Sequence, residues 1–248
     1  MKAMILAAGL GTRLRPLTDD RPKALVEVNG RTMLEITLAR LRSFGVREVI
    51  INVHHFADMI VEYLHANDNF GMRIEVSREE VLLDTGGGLK KAAPFFVDSD
   101  HPEAPFILHN VDVLSTIDLG RMVQFHNENQ ALATLAVRDR KTTRYLLFDE
   151  DLQFCGRRAG DGRDSELVRP AQQLQALAFS GIHIVSSRLL AMMSEEGPFS
   201  IVAAYLRLAG QGEKILAFRS DEYYWRDLGS PENVAQAAQD LREKVIAQ

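Results

Sequence analysis

The chain has 248 residues, of which 46% are hydrophobic and 25% charged, and its formal net charge is −5. This balance is typical of a globular protein with a buried core, and the acidic excess argues against nucleic-acid binding. The single cysteine, Cys155, excludes an internal disulfide and a CxxC zinc site, and no stretch approaches the ~20 apolar residues of a membrane span. We expect a cytoplasmic protein with neither nucleic-acid nor membrane partners.

The first half of the chain alternates apolar, strand-like runs with helical patterns. Thr32 and Glu35 form a capping-box pair that predicts a helix ending at Gly45, and Thr85 is expected to cap a helix through residue 93. The other predicted elements are strands at 2–7, 48–53, 73–76, 106–113 and 131–137 and helices at 57–65 and 119–127. Repeated strand–helix–strand units predict a mostly parallel sheet with helices on both faces.

The second half of the chain is less regular. Residues 145–148 and 152–155 predict a hairpin, and the polar stretch 156–175 predicts a mobile loop. Ser230 followed by Pro231 marks the start of the last helix. The remaining predicted elements are strands at 178–185 and 215–218 and helices at 188–193 and 201–209. Because no linker or repeat divides the chain, we expect one domain with a lobe inserted in its second half.

A glycine-rich turn follows the first strand. In Gly9–Leu14, Leu14 stands where a dinucleotide fingerprint has its third glycine, and no GK[ST] ends the loop, so neither a dinucleotide nor a Walker site is favoured. Glycines nevertheless let backbone N–H groups converge on phosphate oxygens, and Arg13 and Lys23 add positive charge. The motif predicts a small anionic ligand, against the alternative of a turn with solvated basic residues.

Asp112 is a candidate for binding a hard cation. Asp112 follows an apolar strand, and ligands of open α/β sheets bind at the carboxyl ends of strands. Asp227 follows an aromatic stretch in which Trp225 is expected to pack in the core. Carboxylates suit Mg²⁺, which binds oxygen ligands together with substrate phosphates.

The segment MILAAGLGTRLRPLTDDRPKALVEV resembles the signature of sugar-1-phosphate nucleotidyltransferases, LAAGxGTRLxPLTxxxPKxLxPV, over residues 6–28. The resemblance continues in DTGGG, NVD, FSGI and WRDLG, and so spans nearly the whole chain. The short chain and TGGG look most like uridylyltransferases that act on N-acetylmuramate 1-phosphate. Small heptose and mannose guanylyltransferases resemble it nearly as well.

The resemblance implies a fold and assigns different substrates to the two parts of the chain. The fold is a three-layer αβα, Rossmann-like mixed sheet of the glycosyltransferase-A kind with a small inserted sugar-binding lobe. Residues 1–248 form a single domain in which 1–140 bind the nucleotide and 141–248 provide the sugar-binding part and C-terminal helix. The protein is expected to be a monomer or homodimer.

The resemblance also implies the site residues. Arg13, Lys23 and Asp112 are the catalytic candidates, and Asp112 and Asp227 are the Mg²⁺ ligands. The residues assigned to the nucleotide are Leu6, Ala7, Ala8, Gly9, Gly11, Thr12, Arg13, Lys23, Thr85, Gly86 and Gly87. The residues assigned to the sugar phosphate are Asn110, Ser180, Gly181 and Asp227. The consecutive glycines after Thr85 are expected to bring backbone close to the base.

One position departs from the family pattern. In Asn110-Val111-Asp112, Val111 replaces the glycine of the family's Asn-Gly-Asp motif. We expect Val111 to continue the preceding strand, since a β-branched residue disfavours positive φ. Asp84 likewise occupies a position that is glycine in many relatives.

The implied reaction joins a nucleoside triphosphate and a sugar 1-phosphate into a nucleotide sugar and pyrophosphate. UTP and N-acetylmuramate 1-phosphate are the expected substrates, and Arg157, Arg158 and Arg163 are candidates to meet the lactyl carboxylate. The alternatives are guanylyl or cytidylyl transfer to heptose, mannose or choline phosphate, and a non-catalytic sensor of the same fold.

Overall fold

The computed structural model describes residues 1–97 and 103–243 as a mixed sheet between helices. The strands are β1 Lys2–Leu6, β2 Glu27–Val28, β3 Arg31–Thr32, β4 Glu48–Val53, β5 Arg73–Arg78, β6 Pro105–Asn110, β7 Val113–Ser115, β8 Ala133–Arg138, β9 Arg144–Phe148, β10 Phe154–Ala159, β11 Ser165–Leu167, β12 Gln175–Ser186, β13 Ile215–Arg219 and β14 Trp225–Asp227. The helices are α1 Met33–Ser43, α2 Ala57–Ala66, α3 Asp84–Phe96, α4 Leu119–Glu128, α5 Arg188–Met192, α6 Ile201–Gly210 and α7 Pro231–Arg242.

The central sheet is parallel from β6 through β1 and β4 to β5, whereas the strands around β12 are antiparallel except for the parallel pair of β8 and β13. Strands run in the order β11-β10-β9-β12-β6-β1-β4-β5, and β8 pairs with β12 and β13. β1 is parallel to β4 and β6, whereas β12 runs antiparallel to β6, β8 and β9. The expected mixed, mostly parallel α/β fold is confirmed, and β12 introduces the antiparallel part.

The side chains of β1 point alternately to the two faces of the sheet, which explains the arrangement of one sheet between two helical layers. Ala3 and Ile5 belong to one hydrophobic cluster, and Met4 and Leu6 belong to a second. Because successive strand side chains point to opposite faces, each cluster lies on one face of the sheet. Helices cover both faces, as an apolar run in a parallel strand predicts. Within the described residues, no helix combines the length and apolarity needed to cross a membrane.

Three expected elements differ from the structure. The run 106–113 is not one strand, because the chain turns at Val111 and Asp112 between β6 and β7. Thr85 does not cap α3, which begins one residue earlier at Asp84. The stretch 156–175 is not a loop throughout, since it completes β10 and forms β11. Backbone pairing with a neighbouring strand overrides the polar composition there.

Local capping signals are reproduced at two helix starts. The Thr32 side chain accepts a hydrogen bond from the Glu35 N–H at the start of α1. The Ser230 side chain accepts one from Asn233 N–H, with Pro231 in the first turn of α7. Both caps satisfy N–H groups that the helix itself leaves without partners.

Candidate active site

A cleft of about 360 Å³ opens at the carboxyl ends of β1, β4 and β6. Seven of the sequence-predicted residues line it, namely Leu6, Ala8, Gly9, Lys23, Thr85, Asn110 and Asp112. Asn52, Leu82, Asp84 and Pro198 complete the lining. Parallel strands bring these residues together because their carboxyl ends meet at one edge of the sheet.

Lys23 crosses from the glycine-rich loop to the carboxylate at the end of β6. Its ammonium donates to Asp112 Oδ2 at 2.9 Å, and the two side chains are only 15% and 12% exposed. A Cβ on Gly9 would lie 3.2 Å from Lys23 Nζ, so a side chain at position 9 would crowd the Lys23 side chain. Gly11 adopts φ +67°, which allows the loop to turn without strain. The loop thus brings a cation to Asp112.

Pairing between β7 and β14 brings the two predicted metal ligands together. Val113 lies opposite Asp227 in this ladder, and the Leu228 N–H donates to the Asp112 carbonyl at 2.8 Å. Asp227 Oδ1 accepts from the Gly229 N–H at 2.6 Å. More than a hundred residues of sequence separate the aspartates, and the antiparallel pairing of β7 with β14 brings their backbones together.

Arg13 lies beside Asp227 rather than in the cleft lining. It belongs to a 3-10 turn, Thr12–Leu14, directly after the glycine loop. A Cβ on Gly229 would lie 2.9 Å from Arg13 Nη2 and 2.5 Å from Asp227 Oδ1. The guanidinium therefore occupies the space that the missing side chain of Gly229 leaves open. Positive charge from the glycine loop flanks both aspartates, through Lys23 at one and Arg13 at the other.

The predicted sugar-side residues meet where β12 is irregular. The pairing of β12 with β8 shifts register between Phe179 and His183, and Gly181 adopts φ +77° there. A Cβ on Gly181 would lie 2.7 Å from Val113 Cγ2 and 3.0 Å from Asn110 Nδ2. A bulge of this kind bends a strand and re-aims its side chains. Gly181 thereby lets β12 pass close to Asn110 at the mouth of the cleft.

Comparison with known proteins agrees with this geometry. A family model described as nucleotidyl transferase matches residues 2–244. The chain belongs to the nucleotidyl transferase family. N-acetylmuramate alpha-1-phosphate uridylyltransferase from Caulobacter vibrioides is 35% identical, with 97% of both chains covered. Mannose-1-phosphate guanyltransferase from Yarrowia lipolytica is 28% identical over 94% of this chain, which spans 62% of that longer protein.

A solved structure supports the fold of this nucleotidyl transferase. The crystal structure of a putative glucose-1-phosphate thymidylyltransferase from Bacillus anthracis superposes with a TM-score of 0.80 at 16% identity, covering 100% of this chain and 98% of the other. At that identity the likeness concerns the fold alone. The family resemblance and the fold class expected from the sequence are both confirmed.

Sequence reasoning missed a buried polar pair that supports the cleft. Asn52 Oδ1 accepts from the Ala7 N–H at 2.8 Å, and its amide donates to Glu79 Oε1 at 2.8 Å. Glu79 Oε2 also accepts from the Leu83 N–H at 2.9 Å, just before α3. A Cβ on Gly88 would lie 2.7 Å from both Asn52 Nδ2 and Glu79 Oε1. The polar Asn52 at the end of the apolar β4 was the available signal.

The consecutive glycines of this nucleotidyl transferase serve helix packing. The N–H groups of Gly86 and Gly87 donate to the Phe199 carbonyl at 2.8 and 3.3 Å. A Cβ on Gly86 would lie 2.3 Å from the Phe199 ring, and one on Gly87 would lie 2.7 Å from the Gly197 carbonyl. The N–H groups of Gly86 and Gly87 are therefore engaged within the protein and are not offered to a base. Contact between either glycine and nucleotide stays a prediction.

Asp84 takes the backbone conformation that favours glycine. Its φ is +59°, and its carboxylate accepts from the Thr85 N–H at 2.6 Å. The short side chain of aspartate tolerates this left-handed region better than most residues. Val111, by contrast, keeps a negative φ and buries its side chain, with 1% exposure. The turn at Val111 thus does not require the family's glycine.

His109 precedes the cleft residue Asn110 and is buried beneath it. His109 is buried, and burial, followed by the nearby Arg40 charge, lowers its pKa to about 4. Its Nδ1 pairs with the Asn110 carbonyl at 2.7 Å. The ring is therefore neutral near pH 7 and closed off from solvent.

Proposed function

We propose that this protein transfers a uridylyl group from UTP to N-acetylmuramate 1-phosphate, giving the nucleotide sugar and pyrophosphate. The observation that carries the reaction is the ion pair of Lys23 with Asp112 beside the glycine loop, with Asp227 held next to Asp112. The choice of substrates is supported by the relative from Caulobacter vibrioides, which matches along 97% of both chains. The activity belongs in the cytoplasm and in nucleotide-sugar supply for the cell wall.

The two aspartates fit a magnesium ion. They supply carboxylate oxygens, the ligands that Mg²⁺ prefers, and within the described part of the chain one oxygen of each is engaged, by Lys23 and by the Gly229 N–H. Within the described residues, no third acidic or histidine side chain joins them, so phosphate and water oxygens would complete the shell. When bound, Mg²⁺ would neutralise charge on the phosphates of the two substrates.

The chain's own residues act by positioning and by charge. Lys23 binds the α-phosphate and stabilises the charge that develops there, while Arg13 and the backbone of Gly9–Thr12 hold the β- and γ-phosphates. Leu6, Ala7, Ala8 and Thr85 form the nucleotide side of the cleft. Asn110, Ser180 and Gly181 orient the sugar phosphate beside Asp227. Holding two polyanions in line accounts for most of the acceleration in such reactions.

The reaction needs no general base. The attacking oxygen belongs to a phosphate that is already anionic at neutral pH, so no proton must be removed from it. The neutral, buried His109 is consistent with this requirement. The products follow from in-line displacement, in which the acceptor oxygen bonds to the α-phosphorus as the bond to pyrophosphate breaks.

A second candidate is guanylyl transfer to mannose 1-phosphate or a heptose phosphate. It is favoured by the similarity to the guanyltransferase from Yarrowia lipolytica over 94% of this chain. Both candidates share the same phosphate chemistry, and they differ in the base and the sugar.

A substrate matrix tests both candidates. Each nucleoside triphosphate is combined with N-acetylmuramate, N-acetylglucosamine, glucose, mannose and heptose 1-phosphates, and pyrophosphate release is measured. UTP with N-acetylmuramate 1-phosphate should give the highest kcat/KM. A higher value for GTP with mannose or heptose phosphate would replace the first candidate by the second. Absence of pyrophosphate in every combination would leave a non-catalytic protein. Size-exclusion chromatography with light scattering distinguishes a monomer from a homodimer.

A further inference from the structure

Two arginines stack on the indole ring of Trp225. The Arg140 guanidinium lies 4.4 Å from the ring centroid, and that of Arg138 lies 5.8 Å from it. The ring is fixed from its edge, because Trp225 Nε1 donates to the Ser180 carbonyl at 2.7 Å. Arg140 Nη2 donates to the neighbouring carbonyl of Phe179 at 3.1 Å. We call Arg138, Arg140, Trp225 and Ser180 the arginine–tryptophan cluster.

The two arginines of this cluster lack a direct carboxylate partner among the described residues. Among the described residues, neither Arg138 nor Arg140 forms an ion pair. Arg138 Nη1, Arg140 Nε and Ser180 Oγ are also buried without a hydrogen-bond partner. Leaving such groups unpaired is unfavourable, and more so when the group is charged. Unpaired donors and arginine charges without an ion-pair partner together indicate a place prepared for an anion.

The cluster faces the same side of β14 as one of the candidate metal ligands. Trp225 and Asp227 are two residues apart on this strand, so their side chains project from the same face. The intervening Arg226 projects from the other face, where it pairs with Asp240 at 2.8 Å. Burial lowers the pKa of Arg140, and the nearby charge of Asp227 partly offsets this, which agrees with their proximity.

We propose that the arginine–tryptophan cluster binds the phosphate of the acceptor substrate, a sugar phosphate monoester. This rests on the proposed function, in which that phosphate must lie beside Asp227. The other cations near the site have closer partners, since Lys23 pairs with Asp112 and Arg13 lies against Gly229. Arg138 and Arg140 supply the two charges that a dianionic phosphate requires, and Arg presents paired N–H donors that match phosphate oxygens.

The experiment uses a signal that comes only from this cluster. Trp225 is the single tryptophan of the chain, so intrinsic tryptophan fluorescence reports on its surroundings alone. Glucose 1-phosphate, inorganic phosphate and N-acetylmuramic acid are titrated separately into the full chain without metal or nucleotide, at constant ionic strength. Glucose 1-phosphate and phosphate should give a saturable change in emission. N-acetylmuramic acid, which carries a carboxylate and no phosphate, should give none.

Matched variants identify the binding residues. Arg140→Ala and Arg138→Ala should each weaken the binding of glucose 1-phosphate at least tenfold, as expected for loss of a hydrogen bond between charged groups. Arg140→Lys keeps the charge and should retain part of the affinity, which guards against misfolding as the cause. Arg73→Ala, which removes the same charge from an exposed arginine paired with Glu48 and Glu75, should bind like the unaltered chain.

Steady-state kinetics provide the second readout. Arg140→Ala should raise the KM for the sugar phosphate at least tenfold and leave the KM for the nucleoside triphosphate within about twofold. An emission response to N-acetylmuramic acid alone, or equal phosphate affinity in Arg140→Ala and the unaltered chain, would overturn the proposal. If phosphate binds as expected but no substrate pair releases pyrophosphate, the cluster stands as an anion site and the proposed function fails.

Discussion

Removing the ammonium of Lys23 is the most informative single change, because it affects stability and chemistry in separable ways. The Lys23 ammonium and Asp112 Oδ2 are 2.9 Å apart, in side chains that are 15% and 12% exposed. Breaking one partner of a buried pair costs about 3–5 kcal/mol, since the other charge is left uncompensated. The residual exposure of both groups lets water screen part of this, so we expect Lys23→Ala to lose about 2–3 kcal/mol of unfolding free energy.

Urea unfolding measures this loss with and without Mg²⁺. If Asp112 holds the metal, Mg²⁺ should restore more stability to Lys23→Ala than to the unaltered chain, because it replaces the missing charge. The double variant Lys23→Ala/Asp112→Asn should be more stable than Lys23→Ala alone, since the stranded carboxylate is then neutral. Lys214→Ala, at an exposed surface position, serves as the control for removing a lysine.

Catalysis provides the second part of the same prediction. Lys23→Ala should lower kcat by about 10² or more and raise the KM for the nucleoside triphosphate much less, since the lysine meets greater negative charge in the transition state. Pyrophosphate release measures both constants. An unchanged kcat, or a double variant as unstable as the sum of the two single ones, would refute the reasoning, because Lys23 would then be an independent, solvated residue.

Three further outcomes are expected. EDTA should abolish pyrophosphate release and added Mg²⁺ should restore it; full turnover in EDTA would contradict a metal at Asp112. Gly181→Ala should cost about 2–4 kcal/mol and impair activity, because the new Cβ would lie 2.7 Å from Val113, whereas Gly162→Ala, at a similar φ of +75° with nothing within 4 Å, should cost only about 1 kcal/mol. Burial lowers the pKa of His109 to about 4 and that of His183 to about 3, so the unfolded chain binds more protons below the ordinary histidine pKa. Stability should therefore be complete above about pH 6.5 and fall by about 2–3 kcal/mol for each of these histidines by pH 4.5, and a denaturation midpoint that stays constant from pH 7 to 5 would contradict this.

The glycine loop and the first strands could be read from the sequence because their signals are local. The predicted strand at 48–53 coincides with β4, and the Thr32 cap forms as the capping box predicts. The signature from Leu6 to Val28 predicted the family, which the match along residues 2–244 confirms. Buried runs, caps and a glycine turn depend on neighbours within a few residues, so their pattern survives in a single sequence.

Other features depended on which strands pair. The polar stretch after Gly156 carries no apolar alternation, and it becomes strand only because β9 and β10 offer hydrogen-bonding edges. The pairing of Asn52 with Glu79 depends on the end of β4 lying against the segment between β5 and α3. Neither residue type, nor its local spacing, distinguishes such a pair from solvated polar residues.

What the sequence by itself determined is therefore the order of the elements, the family, the glycine-rich turn after the first strand and the residue types available for the chemistry. Only the tertiary structure decided which of these residues meet. The ladder of β7 with β14 brings Asp227 to Asp112, and the bulge of β12 leaves Arg140 against Trp225. Contacts across a hundred residues or across separate strands follow from sheet register, and register is a property of the whole fold rather than of any one segment.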